Sequence, residues 1–167
     1  MSADDLRAKL IRNFNHASFE TSDRAPHYDG SQSARLARGT AAQKLGMSID
    51  IVPPGKRACP YHFHYVEEES FIVLDGEGTL RVAGELLPIR AGDVIFIPPG
   101  PEYPHQILNT SDQPLRYLSL SINAEAEICE YPDSNKYLAF SRTKGPLLDG
   151  GRMHRVKDDL DYWDGEP

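Results

Sequence analysis

Four side chains of the kinds that bind transition metals lie between Gly55 and Asn109, and they are His62, His64, Glu69 and His105. Neighbouring side chains on a β-strand alternate between its two faces, so a His-x-His pair on a strand places both imidazoles on one side. In this chain the pair flanks Phe63, which would face outward. Two imidazoles on one face can bind a single metal ion.

The carboxylate candidate is Glu69, which opens an apolar run and shares a strand face with Phe71 and Val73. Its carboxylate would therefore point into an apolar interior, where an unpaired charge is costly and a metal ion would compensate it. Glu68 would point to the opposite face. His105 lies on a distant predicted strand and would close the set from the opposite wall.

This donor set predicts the chemistry of the ion. Three imidazoles and one carboxylate suit a divalent transition metal such as Fe, Mn, Ni or Zn, whereas Ca and Mg prefer oxygen ligands. One such ion per chain, held octahedrally by four protein atoms, would keep two positions open for a substrate oxygen, water or dioxygen. Each residue alone has an ordinary alternative: a polar strand pair, a solvated acidic turn or a loop-edge histidine. The prediction depends on their combined spacing.

Other side chains near the ligands could take part in a reaction. Tyr61 and Tyr103 could donate hydrogen bonds or protons, and Arg57 and Arg116 could bind an anionic substrate. Glu69 could act as a base as well as a ligand. For the two tyrosines and the two arginines, packing or surface roles are equally open.

Short apolar or alternating runs, separated by Gly, Pro and Asp turns, fill the chain from residue 41 onward. This texture is typical of an antiparallel β-barrel or jelly roll. The sequence predicts strands over 47–52, 61–65, 69–74, 79–82, 85–89, 94–97, 105–109, 115–122, 127–131 and 136–140. The predicted fold class is all-β, in a single domain.

The chain divides into an N-terminal arm at 1–40, a β-barrel at 41–140 and a C-terminal tail at 141–167. In the arm, Ser2 and Asp5 resemble a capping box, which predicts a short helix over 3–13. The remainder of the arm would wrap the domain or reach a second subunit. The tail is expected to pack Tyr162 and Trp163 on the barrel.

The net charge of −7 disfavours nucleic acids and anionic membranes as partners, because both require clustered Lys and Arg. No apolar run has the length of a membrane span, and the N-terminus lacks a signal-peptide pattern, so we expect a cytoplasmic protein. Cys59 and Cys129 are too few for a disulfide scaffold and are expected to stay reduced.

The ligand candidates also lie in two motifs that resemble those of the cupin family, whose fold is a double-stranded β-helix barrel. The first motif reads Gly55-KRACPY-His62-Phe63-His64-YVEE-Glu69-SFIVLD-Gly76. The second reads Gly92-DVIFI-Pro98-Pro99-Gly100-PEYP-His105-QIL-Asn109. In this resemblance the spacing to Gly76 selects Glu69 over Glu68. The second motif is lengthened at residues 101–104, which are expected to lie over the mouth of the barrel.

The resemblance implies a small-molecule metalloenzyme of the dioxygenase or the sugar or sugar-phosphate isomerase type. A non-catalytic, metal-dependent binding or sensor protein is the alternative, and a structural or storage cupin with an inert site is a third. Residues 109–121, the turn at 130–134 and the tail further resemble small bacterial single-domain cupins, most of which lack an assigned activity. Such cupins often pair through edge strands, so we expect a homodimer with a small-molecule substrate or ligand.

Overall fold

β-Strands dominate the part of the chain that the structure, a computed structural model, describes: residues 1–142 and 151–167. Strands account for 43% of the residues and helices for 11%, and the sheets are antiparallel. The predicted all-β fold class is confirmed. No described helix is long and apolar enough to cross a membrane.

The described strands form three sheets. The strands are β1 (Glu20–Thr21), β2 (Gln32–Arg35), β3 (Leu45–Val52), β4 (Phe63–His64), β5 (Glu69–Asp75), β6 (Glu77–Val82), β7 (Glu85–Arg90), β8 (Val94–Ile97), β9 (His105–Leu108), β10 (Leu115–Ile122), β11 (Ala126–Tyr131), β12 (Lys136–Ser141) and β13 (Arg152–Arg155). Their orders are β1-β2-β3-β10-β5-β8, β13-β12-β11-β4 and β7-β6-β9. The helical elements are α1 (Ala3–Leu10) and short 3₁₀ turns at Phe14–His16, Pro132–Ser134 and Val156–Asp158. β10 lies between β3 and β5, so a strand from late in the chain joins two strands from its first half.

The barrel interior is divided into an apolar end and a polar end. The register of β5 and β10 pairs Val73 with Tyr117, Phe71 with Ser119 and Glu69 with Ser121. Directly opposed residues on antiparallel strands point to the same face, so all six face inward. The buried core around Val73 consists of Val52, Phe71, Val73, Leu80, Ile89, Ile97, Ile107, Leu115 and Tyr117. Glu69 lies at the other end, beside serines.

Part of the predicted N-terminal arm belongs to the barrel instead. β2 pairs with β3 and β1 pairs with β2, so the barrel begins near residue 20 rather than at residue 41. The inward positions of β2 are Ser33 and Arg35, whose polarity conceals the strand pattern. The rest of the arm wraps the domain, because Phe14 and Phe19 pack on a second buried cluster. This cluster consists of Ala34, Leu36 and Ile49.

The N-terminal helix is shorter than predicted. Its capping box is present, since Asp5 N donates to Ser2 Oγ (3.1 Å) and Ser2 N donates to Asp5 Oδ2 (2.9 Å). α1 nevertheless ends at Leu10, and Ile11 is already extended. No residue of α1 is buried, so no packing contact extends the helix to residue 13.

The C-terminal tail differs from its prediction. β13 pairs with β12 at the edge of a sheet, so the tail adds a strand. Tyr162 and Trp163 are 83% and 69% exposed, and the rings contact each other at a centroid distance of 4.8 Å rather than the barrel. Asp161 and Asp164 flank them, and these charges favour solvent. The start of the predicted tail, residues 143–150, lies outside the described residues.

Asn109, the last residue of the second motif, joins three segments of backbone. Its side chain is buried, and Nδ2 donates to the carbonyls of Val52 and Gln113, both at 2.7 Å. Its Oδ1 accepts from the amide and the hydroxyl of Ser111 (3.0 and 2.8 Å). The amide therefore connects the end of β3 to the turn that carries the chain from β9 into β10.

We expect Asn109→Ala to lower the free energy of unfolding by about 2–4 kcal/mol, because it would remove the buried amide that bonds the carbonyls of Val52 and Gln113 and the backbone amide of Ser111. Urea denaturation of both proteins would measure the difference. Gln43→Ala is the control: Gln43 is an exposed amide, and its loss should cost less than about 0.5 kcal/mol. A loss at residue 109 as small as that of the control would contradict the assignment.

Candidate metal centre

The structure brings the four predicted ligands together around one carboxylate oxygen. Glu69 Oε2 lies 2.9 Å from His105 Nε2. It lies 3.5 Å from His64 Nε2 and 3.8 Å from His62 Nε2. Each imidazole presents the same nitrogen to the carboxylate, and none of these side chains is more than 13% exposed. The four groups thus form a compact, nearly enclosed donor set.

Backbone pairing holds the histidine segments side by side. His62 N donates to the carbonyl of His105 (3.1 Å), and His105 N donates to the carbonyl of His62 (2.7 Å). This isolated bridge joins the segment before β4 to the first residue of β9. Gly100 N donates to the carbonyl of His64 (2.8 Å), so the loop before β9 also supports the third imidazole.

Backbone carbonyls set the orientation of two of the rings. His62 Nδ1 lies 2.8 Å from the carbonyl of Pro60, and His105 Nδ1 lies 3.2 Å from that of Tyr103. A carbonyl can only accept, so Nδ1 carries a proton in each ring. This arrangement directs Nε2 toward Glu69 and is the usual support for a metal-binding histidine.

Glu127 supports the third imidazole and the loop between the ligands. Its carboxylate is fully buried and accepts from the backbone amides of Tyr65 (2.9 Å) and Glu67 (2.6 Å). These bonds hold the backbone amides that follow His64, and His62 pairs with His105 instead of β11, so β4 has two residues where the sequence predicts a strand over 61–65. His64 Nδ1 is buried without a hydrogen-bond partner among the described residues, and Glu127 Oε1 lies 3.9 Å away.

The three consecutive glutamates have three different environments. Glu67 is buried, and its Oε1 accepts from the amide of Ala124 (2.9 Å) and from Arg142 Nη2 (3.3 Å). Glu68 is exposed, whereas Glu69 faces the imidazoles. Alternation along a strand places Glu68 and Glu69 on opposite faces. The burial of Glu67 instead depends on Ala124 and Arg142, which lie far along the chain.

The donor set fits a divalent transition ion. Ligand atoms that lie about 2.1 Å from one ion at right angles are about 3.0 Å apart. The distances from Glu69 Oε2 to the three Nε2 atoms, 2.9 to 3.8 Å, are close to that spacing. His64 Nδ1, which has no hydrogen-bond partner among the described residues, lies near the carboxylate of Glu127. A carboxylate at this nitrogen is a common support for a metal-binding histidine. His62, His64, Glu69 and His105 could therefore hold such an ion.

Burial and neighbouring charges shift the pKa values of His62 and Glu69. Burial lowers the pKa of His62 to about 4, and the neighbouring His105 adds to this effect. Burial alone would raise the pKa of Glu69, but the hydrogen bond from His105 and the charges of His64 and His62 outweigh it, so its pKa lies below the usual value. At neutral pH His62 is neutral and Glu69 is ionised, which are the protonation states that metal ligands require.

β11 supplies two neighbours of the site that sequence reasoning missed. Cys129 pairs with His64 in register, and its Sγ lies within 4.8 Å of ring nitrogens of His62 and His64. Burial raises the pKa of Cys129 to about 12, which keeps it a neutral thiol. The ring of Tyr131 stacks on His62 at a centroid distance of 6.0 Å. A sequence signal for these neighbours was available: Glu127, Cys129 and Tyr131 alternate along one predicted strand, so their side chains share a face.

Within the described residues, neither of the two tyrosines predicted to be catalytic has its hydroxyl in contact with a ligand candidate. Tyr61 is buried, its hydroxyl accepts from the amide of Gly84 (3.3 Å), and Arg81 lies over its ring at 3.7 Å. The side chain of Tyr103 is exposed, and the residue acts on the site through the carbonyl that orients His105. Residues 101–104 thus shape the site through backbone contacts.

The two arginines predicted to bind substrate face away from the barrel interior. Arg57 pairs with Leu108, which lies on the opposite face of β9 from the core residue Ile107. Arg116 precedes the inward Tyr117 and so faces outward, beneath the N-terminal arm. Its guanidinium donates to Asn15 Oδ1 (3.1 Å). The structure does not bring either arginine together with the four ligand candidates.

Comparison with known families agrees with this geometry. A family profile described as a cupin domain matches residues 48–121, a range that includes all four ligand candidates. The match covers less than half of the chain, so it shows a similarity to cupins over this range. In three dimensions the chain is similar to a sugar phosphate isomerase of a cupin superfamily from Silicibacter pomeroyi, with a TM-score of 0.76 and 20% identity over 91% of this chain and 96% of that chain. A likeness at this identity shows the fold.

Two curated relatives match the chain over less than half of its length. An oxalate-binding protein of Thermotoga maritima is 38% identical over 71 residues, which cover 42% of this chain and 56% of the relative. An uncharacterized protein of Methanocaldococcus jannaschii is 36% identical over 78 residues, which cover 47% of this chain and 60% of the relative. The chain therefore spans less than two thirds of the length of either relative.

The low pKa of His62 predicts how the stability of the metal-free protein depends on pH. Between pH 6.5 and about 4 the unfolded chain binds a proton at this residue and the folded chain does not. The resulting stabilisation is complete above pH 6.5 and is lost as the pH falls toward 4, by up to about 3 kcal/mol. Urea denaturation of chelator-treated protein at several pH values would measure it.

The decline in the free energy of unfolding with falling pH should be smaller in His62→Gln, because this variant lacks the titrating imidazole. His27→Gln removes an exposed histidine and should retain the wild-type profile. Identical pH profiles for wild type and His62→Gln would show that His62 does not carry the effect.

Neighbouring glutamates provide a matched test of the ligand set. We expect Glu69→Gln to weaken metal binding by on the order of 100-fold or more, since loss of an outer-shell partner alone costs roughly 10- to 100-fold. Glu68→Gln makes the same chemical change at an exposed position and should bind like wild type. Competition with a chromophoric chelator, using Zn²⁺ and Co²⁺, would measure both affinities. Equal affinities for the two variants would refute Glu69 as the carboxylate ligand.

Proposed function

We propose that this protein is a divalent-metal-dependent enzyme that isomerises a small hydroxy-carbonyl compound by proton transfer. The observation that carries the proposal is the convergence of three imidazole Nε2 atoms within 3.8 Å of Glu69 Oε2, inside the polar end of the barrel. A divalent ion held there would act as a Lewis acid on a substrate oxygen. The chain's own side chains would hold the substrate and move the proton.

A second carboxyl group in the barrel favours acid–base chemistry. Asp50 lies on the inner face of β3, where the register places it opposite Tyr117. Burial raises the pKa of Asp50, although a hydrogen bond from Ser48 Oγ (2.9 Å) partly offsets the effect. Glu69 is shifted in the opposite direction. Two carboxyls with pKa values pushed apart can serve as an acid and a base where a substrate spans them, and Asp50 lies two inward positions along the strands from the level of Glu69.

Enclosure of the ligands also favours this class of reaction. His62, His64 and Glu69 are only 12–13% exposed, and Tyr131 stacks on His62. A site with little water keeps an abstracted proton on the protein and strengthens each electrostatic contact with the substrate. Glu69, ionised among imidazoles, is the candidate base, and Asp50 is the candidate acid.

A metal-dependent binding protein is the second candidate, because one specific comparison favours it. The relative from Thermotoga maritima, 38% identical over 71 residues, is named an oxalate-binding protein. A dicarboxylate could use the same ligand set without turnover. The two candidates differ in whether a carbon-bound proton exchanges with solvent.

Solvent-exchange spectroscopy separates the candidates. We expect the protein, loaded in turn with Fe²⁺, Mn²⁺, Ni²⁺ or Zn²⁺ and given aldoses, ketoses and their phosphates in D₂O, to incorporate deuterium at a substrate carbon, as read by proton NMR. Asp50→Asn should slow the exchange by roughly 100-fold or more with unchanged metal content, since a positioned acid contributes about that much. Asp112→Asn, which changes an exposed aspartate, should exchange at the wild-type rate.

Other outcomes would replace the proposal. Stoichiometric oxalate binding with no exchange in any substrate would assign the binding protein. Dioxygen consumption by the Fe²⁺ form, measured with an oxygen electrode, would assign an oxygenase. Wild-type exchange in Asp50→Asn would retain the isomerase and remove Asp50 as its acid.

A further inference from the structure

We propose that Arg35 and Arg38 bind an anionic group of the substrate, a carboxylate or a phosphate, in a cleft beside Glu69. The proposal takes the occupant of the cleft to be the substrate of the proposed enzyme and so rests on that function. It assigns anion recognition to arginines at the end of β2 and just beyond it, in place of the outward-facing Arg57 and Arg116.

The arginine cleft is an opening of about 320 Å³ at the polar end of the barrel. The residues that matter for its chemistry are Arg35, Arg38, Arg142, Ser48, Ser119 and Ser121. Guanidinium groups and hydroxyls offer hydrogen-bond donors, and the guanidinium fork matches the oxygens of carboxylates and phosphates. The volume lies at the small end of the range for ligand sites and suits a compact metabolite.

Strand register places this cleft on the same inner face as the candidate metal ligand. Ser121 on β10 is opposed to Glu69 on β5 and to Gly46 on β3. One step along, Ser119 is opposed to Ser48, and Ser48 is opposed to Arg35 on β2. Opposed residues share a face and have Cβ atoms roughly 5 Å apart. Arg35 therefore lies on the same face as Glu69, two intervening strands from β5 and at the neighbouring level of the register, with its side chain exposed in the cleft.

The charge of the cleft is positive although the chain is acidic. It contains three arginines and one glutamate, Glu67, in a chain with a net charge of −7. Arg142 is already engaged, since it contacts Glu67 Oε1 (3.3 Å), Asn123 Oδ1 (3.0 Å) and the carbonyl of Ala124 (2.9 Å). A local positive field on an acidic protein attracts small anions.

Arg35 and Arg38 differ from Arg142 because their guanidinium groups are uncommitted. In residues 1–142 and 151–167, neither side chain has a hydrogen bond or an ion pair with another residue. The cleft is also lined by Ser121, the residue opposed to Glu69, so a molecule whose charged end binds the two arginines could extend its other end toward the ligand candidates. The substrate class is thus a small hydroxy-carbonyl compound that carries a carboxylate or a phosphate.

Isothermal titration with two simple anions, inorganic phosphate and oxalate, tests the proposal on metal-free and Zn²⁺-loaded protein. We expect the double variant Arg35→Gln/Arg38→Gln to raise the dissociation constant of the better-bound anion by roughly 10- to 100-fold, because charge-assisted hydrogen bonds are lost. Its Zn²⁺ affinity should equal that of wild type. The anion that binds more tightly to wild type identifies the group that the cleft recognises.

The control is Arg24→Gln/Arg155→Gln, which removes the same charge from two exposed arginines outside the cleft. It should bind both anions like wild type. An unchanged dissociation constant in the Arg35/Arg38 variant, or an equal loss in the control, would overturn the proposal. Anion binding that requires Zn²⁺ and is unaffected by the loss of both arginines would also overturn the proposal.

Failure of this proposal is distinguishable from failure of the proposed function. If the protein exchanges no substrate proton but metal-free protein binds anions through Arg35 and Arg38, the isomerase is wrong and the cleft stands. If exchange occurs and the double variant keeps wild-type anion affinity and wild-type KM, the isomerase stands and the cleft is wrong.

Discussion

The burial of the Glu69 carboxylate is the constraint on which the rest of the site depends. A charge inside a barrel is costly unless opposite charge or a metal compensates it, and three imidazoles within 3.8 Å provide that environment. The imidazoles in turn need fixed backbones. The mutual hydrogen bonds of His62 and His105 and the bond from Gly100 to the His64 carbonyl provide them. Loops that are distant in sequence are thus joined by the requirement to surround one carboxylate.

The interior of the barrel follows from this requirement. At one end Val73, Tyr117 and their neighbours form an ordinary apolar core that stabilises the domain. At the other end the same strands carry Ser119, Ser121 and Glu69, which do not pack as a core and instead lie at the candidate site. A pair of facing strands therefore serves stability at one end and chemistry at the other, and the change occurs within a few residues along β5 and β10.

Local patterns were enough to predict much of this arrangement. Alternation along a strand placed His62 with His64 and separated Glu69 from Glu68, and Gly and Pro turns separated most of the strands. Patterns failed where the stabilising partner is distant. The carboxylate of Glu127 takes the amides of Tyr65 and Glu67, which shortens β4. The polar inner face of β2 concealed a strand that only pairing with β3 reveals.

The sequence by itself determined the fold class, the cupin resemblance and the types of the four ligand candidates, because these depend on residue identity and on spacing within short segments. Only the tertiary structure decided which second-layer residues face the site. Arg57 and Arg116 turn outward, whereas Asp50, Cys129, Tyr131 and Arg35 lie on inward positions. The physical reason is strand register: the face that a residue presents to a site depends on pairing with strands far away in the chain, and no local pattern encodes that pairing.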